Sequence, residues 1–392
     1  MARAWETIFW ISFCILFYTY AGYPLLLLLL VSLKKKLSPP PRFEPRFVLP
    51  VTHVVAAYNE GGIIEEKIKN CLSLNYPPGK MKIIFITDGS TDHSLSILKG
   101  FPSILHLHED ERHGKLAAMN RAMNFVDTDF VVFSDANTML NRESLLLMMS
   151  HYQDDKVGGV AGEKKIALSD GAVAPGEGLY WQYESFIKRL DSQLHTVVGA
   201  AGELFSMRSA IYTQLPKQIV IEDFVQSLKI CSQGYVVRYE PGAYATENAS
   251  LSVKDELERK IRISAGGFQA MTMMTSLLNL FRHPVLTFQY VSHRVLRWTL
   301  APLALVALFV SSLAVWLSTK SPFYGYSSLG QVIFYIAAVA GWLRASRNQS
   351  PGPVSVPFYF SFMNFCVFAG LWRFLTGGQP AAWKKADRLS KI

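Results

Sequence analysis

The chain has few charges and few cysteines. Only 18% of its 392 residues are charged, while half are apolar. That balance is too apolar for a wholly soluble enzyme. The four cysteines (Cys14, Cys71, Cys231, Cys366) form no close pair, and two fall in apolar runs. A disulfide framework and a cysteine-rich zinc site are thereby excluded, and a reducing cytosol suits the usage. No G-x-G-x-x-G and no G-x-x-x-x-G-K-[ST] occurs, so the dinucleotide and P-loop readings lose their usual support. Neither an internal repeat nor a low-complexity tract is present. The net charge is +9, but no Lys/Arg stripe with interleaved aromatics runs through the polar middle, which argues against nucleic acid as a partner. Basic flanks that attract anionic membrane lipids account for the charge instead.

The apolar residues concentrate at the two ends. Thr7 to Leu33 carries no charge and is long enough to span a bilayer core. A signal peptide is excluded by the length of the run and by the lack of a small-residue cleavage site. Lys34 to Lys36 follow, then the Pro-rich "SPPPRFEPRF". Near the other end lie Leu296 to Leu317, a shorter run Leu329 to Leu343, and Pro357 to Leu375, which carries Ser361 and Asn364. Arg294, Arg297, Arg344 and Arg347 flank these runs. With Lys34 to Lys36 they predict a multi-pass protein of the cell (inner) membrane, its central domain cytoplasmic. A fourth full span would place the basic tail "WKKADRLSK" on the opposite side. Either the last segment is re-entrant or interfacial, or the count differs.

Between the ends, short apolar runs alternate with helix-like stretches. "VTHVVAAYNE", "MKIIFITDGSTD", "SILHLHE" and "DFVVFSDANT" read as strands; "GIIEEKIKNCLSL", "HSLSILKGF" and "GKLAAMNRAMNFV" read as helices. This βαβα order predicts an α/β domain with a mainly parallel, Rossmann-like sheet. Ligands of such sheets bind beyond the carboxyl ends of the strands. Three ends here are polar: Ala57 to Glu60, Thr87 to Asp92, and Ser134 to Thr138. One polar end is a turn; three on one rim form a site. Asp88 suits a base or ribose. Asp135 suits a hard cation such as Mg²⁺ or Mn²⁺, which takes one or two carboxylates plus substrate phosphates. Lys115 opens a helix and can reach a phosphate oxygen. A sugar nucleotide meets all these demands.

The segments "AAYNE", "TDGSTD", "GKLAAMN" and "FSDANT" resemble, in order and spacing, the family 2 glycosyltransferases of GT-A fold. The membrane layout resembles the branch that includes cellulose, chitin, hyaluronan and poly-N-acetylglucosamine synthases and ceramide glucosyltransferase. "IEDF" (Ile221 to Phe224) looks like the Thr-Glu-Asp motif, which would make Asp223 the general base. "RKIRISAGGFQ" (Arg259 to Gln269) looks like the Gln-x-x-Arg-Trp segment, which would set Arg262, with Arg259 beside it, against the donor diphosphate. The resemblance implies an inverting transfer from a nucleoside diphosphate sugar, most simply a UDP-sugar, to a lipid, lipid-linked glycan or polysaccharide at the cell surface. Tyr58, Glu60 and Asp88 would face the nucleoside, and Asp135 with Asn137 the metal. Two departures stand out. Asn137 replaces the second acid of Asp-x-Asp, and Ile263 replaces the tryptophan on which polymerising synthases stack the acceptor sugar. The second points toward a single transfer.

The predicted division is an anchor and linker over 1–45, a GT-A domain over 46–270, an interfacial amphipathic segment over 271–295 and a membrane region over 296–392. Plainer readings accompany several motifs. Asp88 can be a turn residue, Asp223 a helix cap, and Arg259 and Arg262 a solvated or lipid-facing helix face. His106, His108 and His113 suggest zinc but lack a well-placed further ligand. The amphipathic Gly178 to Leu190 reads as core, with acceptor contact through Trp181 or Glu184 as the alternative. Gly199 and Gly202 mark either a tight turn or a close approach to ligand. A non-catalytic nucleotide-sugar-binding protein that regulates a synthase is the competing class, and a transporter the third.

Overall fold

A computed structural model describes residues 1–38, 44, 47–167, 175–248, 252–347 and 349–378. The basic tail lies outside them, as does part of the Pro-rich linker. The chain divides into two compact units.

The first unit is built from Lys35–Ser169 and Glu184–Ala249. It holds an eight-stranded sheet: β1 (Val51–Ala57), β2 (Met81–Asp88), β3 (Leu105–Glu109), β4 (Phe130–Asp135), β5 (Thr138–Leu140), β6 (Val157–Ala167), β7 (Leu204–Arg208) and β8 (Val236–Asn248). The spatial order is β3-β2-β1-β4-β7-β6-β8-β5. The run β3-β2-β1-β4 is parallel throughout. Beyond it the sheet is mixed: β7 runs antiparallel to both neighbours, β6 and β8 run parallel, and β5 runs antiparallel to β8. The expected parallel order therefore describes half the sheet. Period-2 patterning identifies a strand and its faces but not its direction, so the mixed half had no local signature.

β1 and β4 are buried along nearly their whole length, as strands covered on both faces are. Val55, Phe85 and Ile83 pack with Ile64, Ile68 and Leu98 in one core layer. Val51, Phe130 and Val132 pack with Leu145, Met148 and Val160 in another. Burial of each such side chain stabilises the fold by roughly 1.5–3 kcal/mol. Register does the rest. Ala57 pairs with Thr87, Ala56 with Asp135, and Asp88 with Glu109. The polar ends of β1, β2 and β4 thus share one rim.

The second unit comprises Met1–Lys34, Asp170–Tyr183 and Ser250–Gln379. Among the described residues four helices are long and apolar enough to cross a membrane: Ala2–Leu37, which runs just past Lys34, and Leu300–Thr319, Pro322–Ala345 and Gly352–Leu375. Three outrun the apolar stretch seen in the sequence, because flanking residues continue the helix; the run from Leu296 is instead broken at Thr299, and its long helix begins at Leu300. Asn364, the polar residue in the last run, is paired: its Nδ2 donates to Phe360 O at 2.9 Å and its Oδ1 accepts from Tyr20 Oη at 3.3 Å. Small residues allow close packing. At Gly370 a Cβ would lie 2.5 Å from Ser264 Cβ, so the last helix meets the helix Val253–Met273 backbone to side chain. That helix groups with the apolar helices, so a boundary at residue 270 falls inside it. The segment 271–295 is not one amphipathic helix: it breaks into Thr275–Leu278, Pro284–Tyr290 and a π-turn Val291–Val295. Met274 and Asn279 leave helical geometry at the first break.

Candidate active site

The rim has two corners, built by the ends of β2 and β4. At the β2 corner Asp88 is 4% exposed and its carboxylate is heavily engaged. One oxygen accepts the backbone N–H of His113 (2.8 Å) and of Gly114 (2.6 Å); the other accepts from Arg121 Nη2 at 2.9 Å. Asp88 therefore pins the residues that immediately precede Lys115, the first residue of the helix Lys115–Met123. The end of β1 is laced to the loop after β2. Asn59, at φ 51°, accepts from Thr91 N at 2.8 Å and donates its own N–H to Ser90 Oγ at 3.1 Å. Glu60 N donates to Ser94 Oγ, and Gly61 N to Asp92 Oδ2. Tyr58 lies under the Arg112 guanidinium, 3.7 Å from its ring centroid. Tyr58, Glu60, Asp88 and Arg112 frame the corner.

At the β4 corner the balance of charge is different. Lys115 Nζ lies 2.7 Å from Asp135 Oδ1 and 2.8 Å from Glu222 Oε1. Asp223 adjoins them: a Cβ on Gly202 would lie 3.1 Å from Lys115 Nζ and 3.2 Å from Asp223 Oδ2. Three carboxylates thus surround one ammonium. Burial works against the charge of Lys115, but Asp135, Glu222 and Asp223 outweigh it and hold its pKa well above the ordinary value. Asp223 is driven the other way. Burial first, then the neighbouring Glu222, push its pKa up to about 7, against the pull of Lys115. It lines a recess walled by Leu116, Met119, Phe133, Phe205 and Tyr212. Asp223 is not a cap: the helix Glu222–Ser232 takes Ile221 at its N-cap, and Asp223 lies inside its first turn.

The loop before β7 completes this corner. β7 runs antiparallel to β4 with Leu204 opposite Ser134, which brings residues 199–203 to the rim. Gly199 has φ +92° and Gly202 leaves the space beside Lys115 and Asp223 clear. The positive φ at Gly199 suits the turn reading, and at Gly202 the backbone comes close to the Lys115 and Asp223 side chains. The turn after β4 is held from beneath. Lys67, fully buried, donates to Thr138 O at 2.7 Å, and Thr138 Oγ1 donates to Asp135 O at 3.0 Å. Burial lowers the Lys67 pKa, opposed by Cys71 and Asp135.

Asp135 and Asn137 offer two hard oxygen donors beside an excess of negative charge. That fits a divalent cation whose remaining ligands are phosphate and water oxygens. Among the described residues no group of three or more His, Cys, Asp or Glu could hold a metal alone. Two of the histidines that suggested zinc, His106 and His108, both meet Thr87 Oγ1, at 3.1 and 2.9 Å.

Seven of the expected residues, Tyr58, Glu60, Asp88, Lys115, Asp135, Asn137 and Asp223, belong to the sheet unit. Arg259 and Arg262 belong to the other, on the helix Val253–Met273. The Arg259 guanidinium is forked onto Glu256, at 3.0 and 3.1 Å. Sequence reasoning missed Glu222, Arg121 and Lys67. Glu222 had a signal, since it adjoins Asp223 in the chain; the other two are recognised only through their partners.

Residues 52–215 match the profile of Glycosyl transferase family 2. The chain carries a family 2 glycosyltransferase domain. All of the β2 corner, and Lys115, Asp135 and Asn137 of the other, fall inside the match. The chain is similar to a poly-beta-1,6-N-acetyl-D-glucosamine synthase of Staphylococcus aureus (strain MSSA476), 25% identical over 236 residues, which cover 56% of this chain and 55% of that protein. A synthase of the same name from Staphylococcus epidermidis is 22% identical over 256 residues, 62% of this chain and 61% of that one. The chain thus spans little more than half the length of these relatives. The fold is that of the mannosyltransferase PcManGT from Pyrobaculum calidifontis, solved with GDP-Man and Mn²⁺. The TM-score is 0.69 at 20% identity, over 95% of this chain and 100% of that one. The glycosyltransferase domain therefore has the GT-A-like architecture expected of it.

Proposed function

We propose that this protein is a membrane-bound inverting glycosyltransferase. It would move a sugar from a nucleoside diphosphate sugar, in the first instance a UDP-sugar, to a lipid, lipid-linked glycan or polysaccharide acceptor. The observation that carries this reading is the β4 corner: Lys115 set between Asp135 and Glu222, with Asp223 alongside, in a family 2 domain.

In this reading the β2 corner receives the nucleoside. Tyr58 and Glu60 border it, and Asp88 shapes it by holding the loop that precedes Lys115. The diphosphate lies toward the β4 corner, where Lys115 is positioned to meet a phosphate oxygen. Asp135, with the Asn137 amide oxygen, would hold Mg²⁺ or Mn²⁺; the Mn²⁺ of PcManGT supports such a site. A bound cation supplies electrostatic stabilisation of the leaving diphosphate. Arg262, with Arg259, is assigned to the same phosphates on the strength of the motif alone.

Asp223 takes the proton from the acceptor hydroxyl as its oxygen bonds to the anomeric carbon and the bond to the diphosphate breaks. One such displacement inverts the configuration. A base must be unprotonated to act and basic enough to accept, so a pKa near 7 suits the role. The absence of an aromatic at Ile263 favours a single transfer. Lys34 to Lys36 and the arginines beside the later spans support a cytoplasmic catalytic unit in the cell membrane.

The test is direct. The full chain, purified in lipid, is offered a panel of nucleotide sugars with Mn²⁺ or Mg²⁺ and a lipid extract. Release of nucleoside diphosphate with labelled lipid or glycan is expected from one donor. Tight donor binding with no release from any would favour a non-catalytic nucleotide-sugar-binding protein.

A further inference from the structure

The amide at position 137 has a structural reason in the strand beside it. β5 begins one residue later, and its first residue, Thr138, pairs with Glu247 of β8. The Asn137 Nδ2 donates to Glu247 Oε1 at 3.2 Å. The other Glu247 oxygen accepts from Lys164 Nζ, and that ammonium also serves Glu203. Lys164 is 4% exposed and Glu247 5%. Two carboxylates here share one buried ammonium.

Two consequences follow from elementary chemistry. An amide offers its N–H₂ on one fork and its oxygen on the other. With the nitrogen turned to Glu247, the Asn137 oxygen is turned away from it. An aspartate at 137 would instead set a carboxylate against the Glu247 carboxylate. Like charges so placed repel strongly where water is scarce. We infer that Glu247 is a positioning residue, which fixes the Asn137 amide with its oxygen turned away from β8 and makes an amide, not an acid, the side chain this corner accepts. Asn137 then supplies a neutral hard oxygen, and the negative charge usual at the second position is carried one layer deeper by Glu247. The cation's part in this rests on the proposed assignment of Asp135 and Asn137 as its ligands.

A double-mutant cycle on the full chain in lipid nanodiscs tests the inference. The variants are Asn137→Asp, Glu247→Gln and the pair together. The first readout is the melting midpoint in EDTA, which needs no cation. Asn137→Asp is expected to lower it by roughly 2–4 °C, and adding Glu247→Gln to recover most of that loss, because a glutamine can donate to the new carboxylate. The second readout is Mn²⁺ affinity by electron paramagnetic resonance. Glu247→Gln alone is expected to weaken it a few-fold by freeing the amide to turn. If Asn137→Asp melts like the parent, or its loss is the same with and without Glu247→Gln, the inference is overturned whatever the cation does. If the coupling appears but the parent binds no Mn²⁺, Glu247 still fixes the amide and the cation assignment falls.

Discussion

Asp88 and Asp135 end strands that flank β1 on either side, yet their carboxylates are in opposite situations. Asp88 is satisfied: two backbone N–H groups and a guanidinium occupy it. Asp135 shares one ammonium with Glu222, beside a third acid whose pKa is near 7. The first corner is balanced and holds a loop in shape. The second carries more negative charge than its lysine neutralises, so it gains from a ligand that brings positive charge or accepts a hydrogen bond. The two acids differ in the set of partners already on their oxygens.

The sharpest way to break this comparison is to remove each acid. Asp135→Ala is expected to lower turnover at least 10²- to 10³-fold with little change in melting. Asp88→Ala should do the reverse in stability. It leaves two backbone N–H groups without their acceptor and removes one partner of the half-buried Arg121, at a cost of about 1–3 kcal/mol, seen as a lower melting midpoint without donor. If Asp88→Ala melts like the parent and Asp135→Ala does not, the two corners have been assigned the wrong way round.

A smaller effect is expected from pH. The raised pKa of Asp223 means that it binds a proton until about pH 7, and a protonated base cannot act. The ratio kcat/KM should therefore fall about tenfold per pH unit below about 7. A profile flat from pH 7 to pH 5 would remove Asp223 from the proton transfer. The smallest change is Gly202→Ala. Its methyl would press on Lys115 Nζ and Asp223 Oδ2, and a loss of a few-fold in kcat/KM with unchanged melting is expected in a steady-state assay.

Much of this was legible in the sequence. β1, β2 and β4 are short apolar runs that end in acids or amides, and parallel register alone brings such ends together. The longer apolar runs declared themselves by length; Leu329 to Leu343 did not, and its helix extends back to Pro322. What had no local sign was direction and distance. β7 enters antiparallel to β4 from over 60 residues away, carrying Gly202 to the corner. Glu247 meets Asn137 across 110 residues. Period-2 spacing showed that His106 and His108 share a face, but not that the hydroxyl of Thr87 occupies it. Arg121 was invisible for a similar reason: it reads as one basic residue of an amphipathic helix until Asp88 is seen beneath it.

The central claim is that Asp223 removes the acceptor proton while Asp135 and Lys115 hold the donor. Asp223→Asn, measured for both donor affinity and single-turnover transfer in lipid, tests it most directly. Donor binding within a few-fold of the parent is expected, with transfer slower by 10²- to 10⁴-fold, about 3–5 kcal/mol of barrier. Transfer at the parental rate would contradict it.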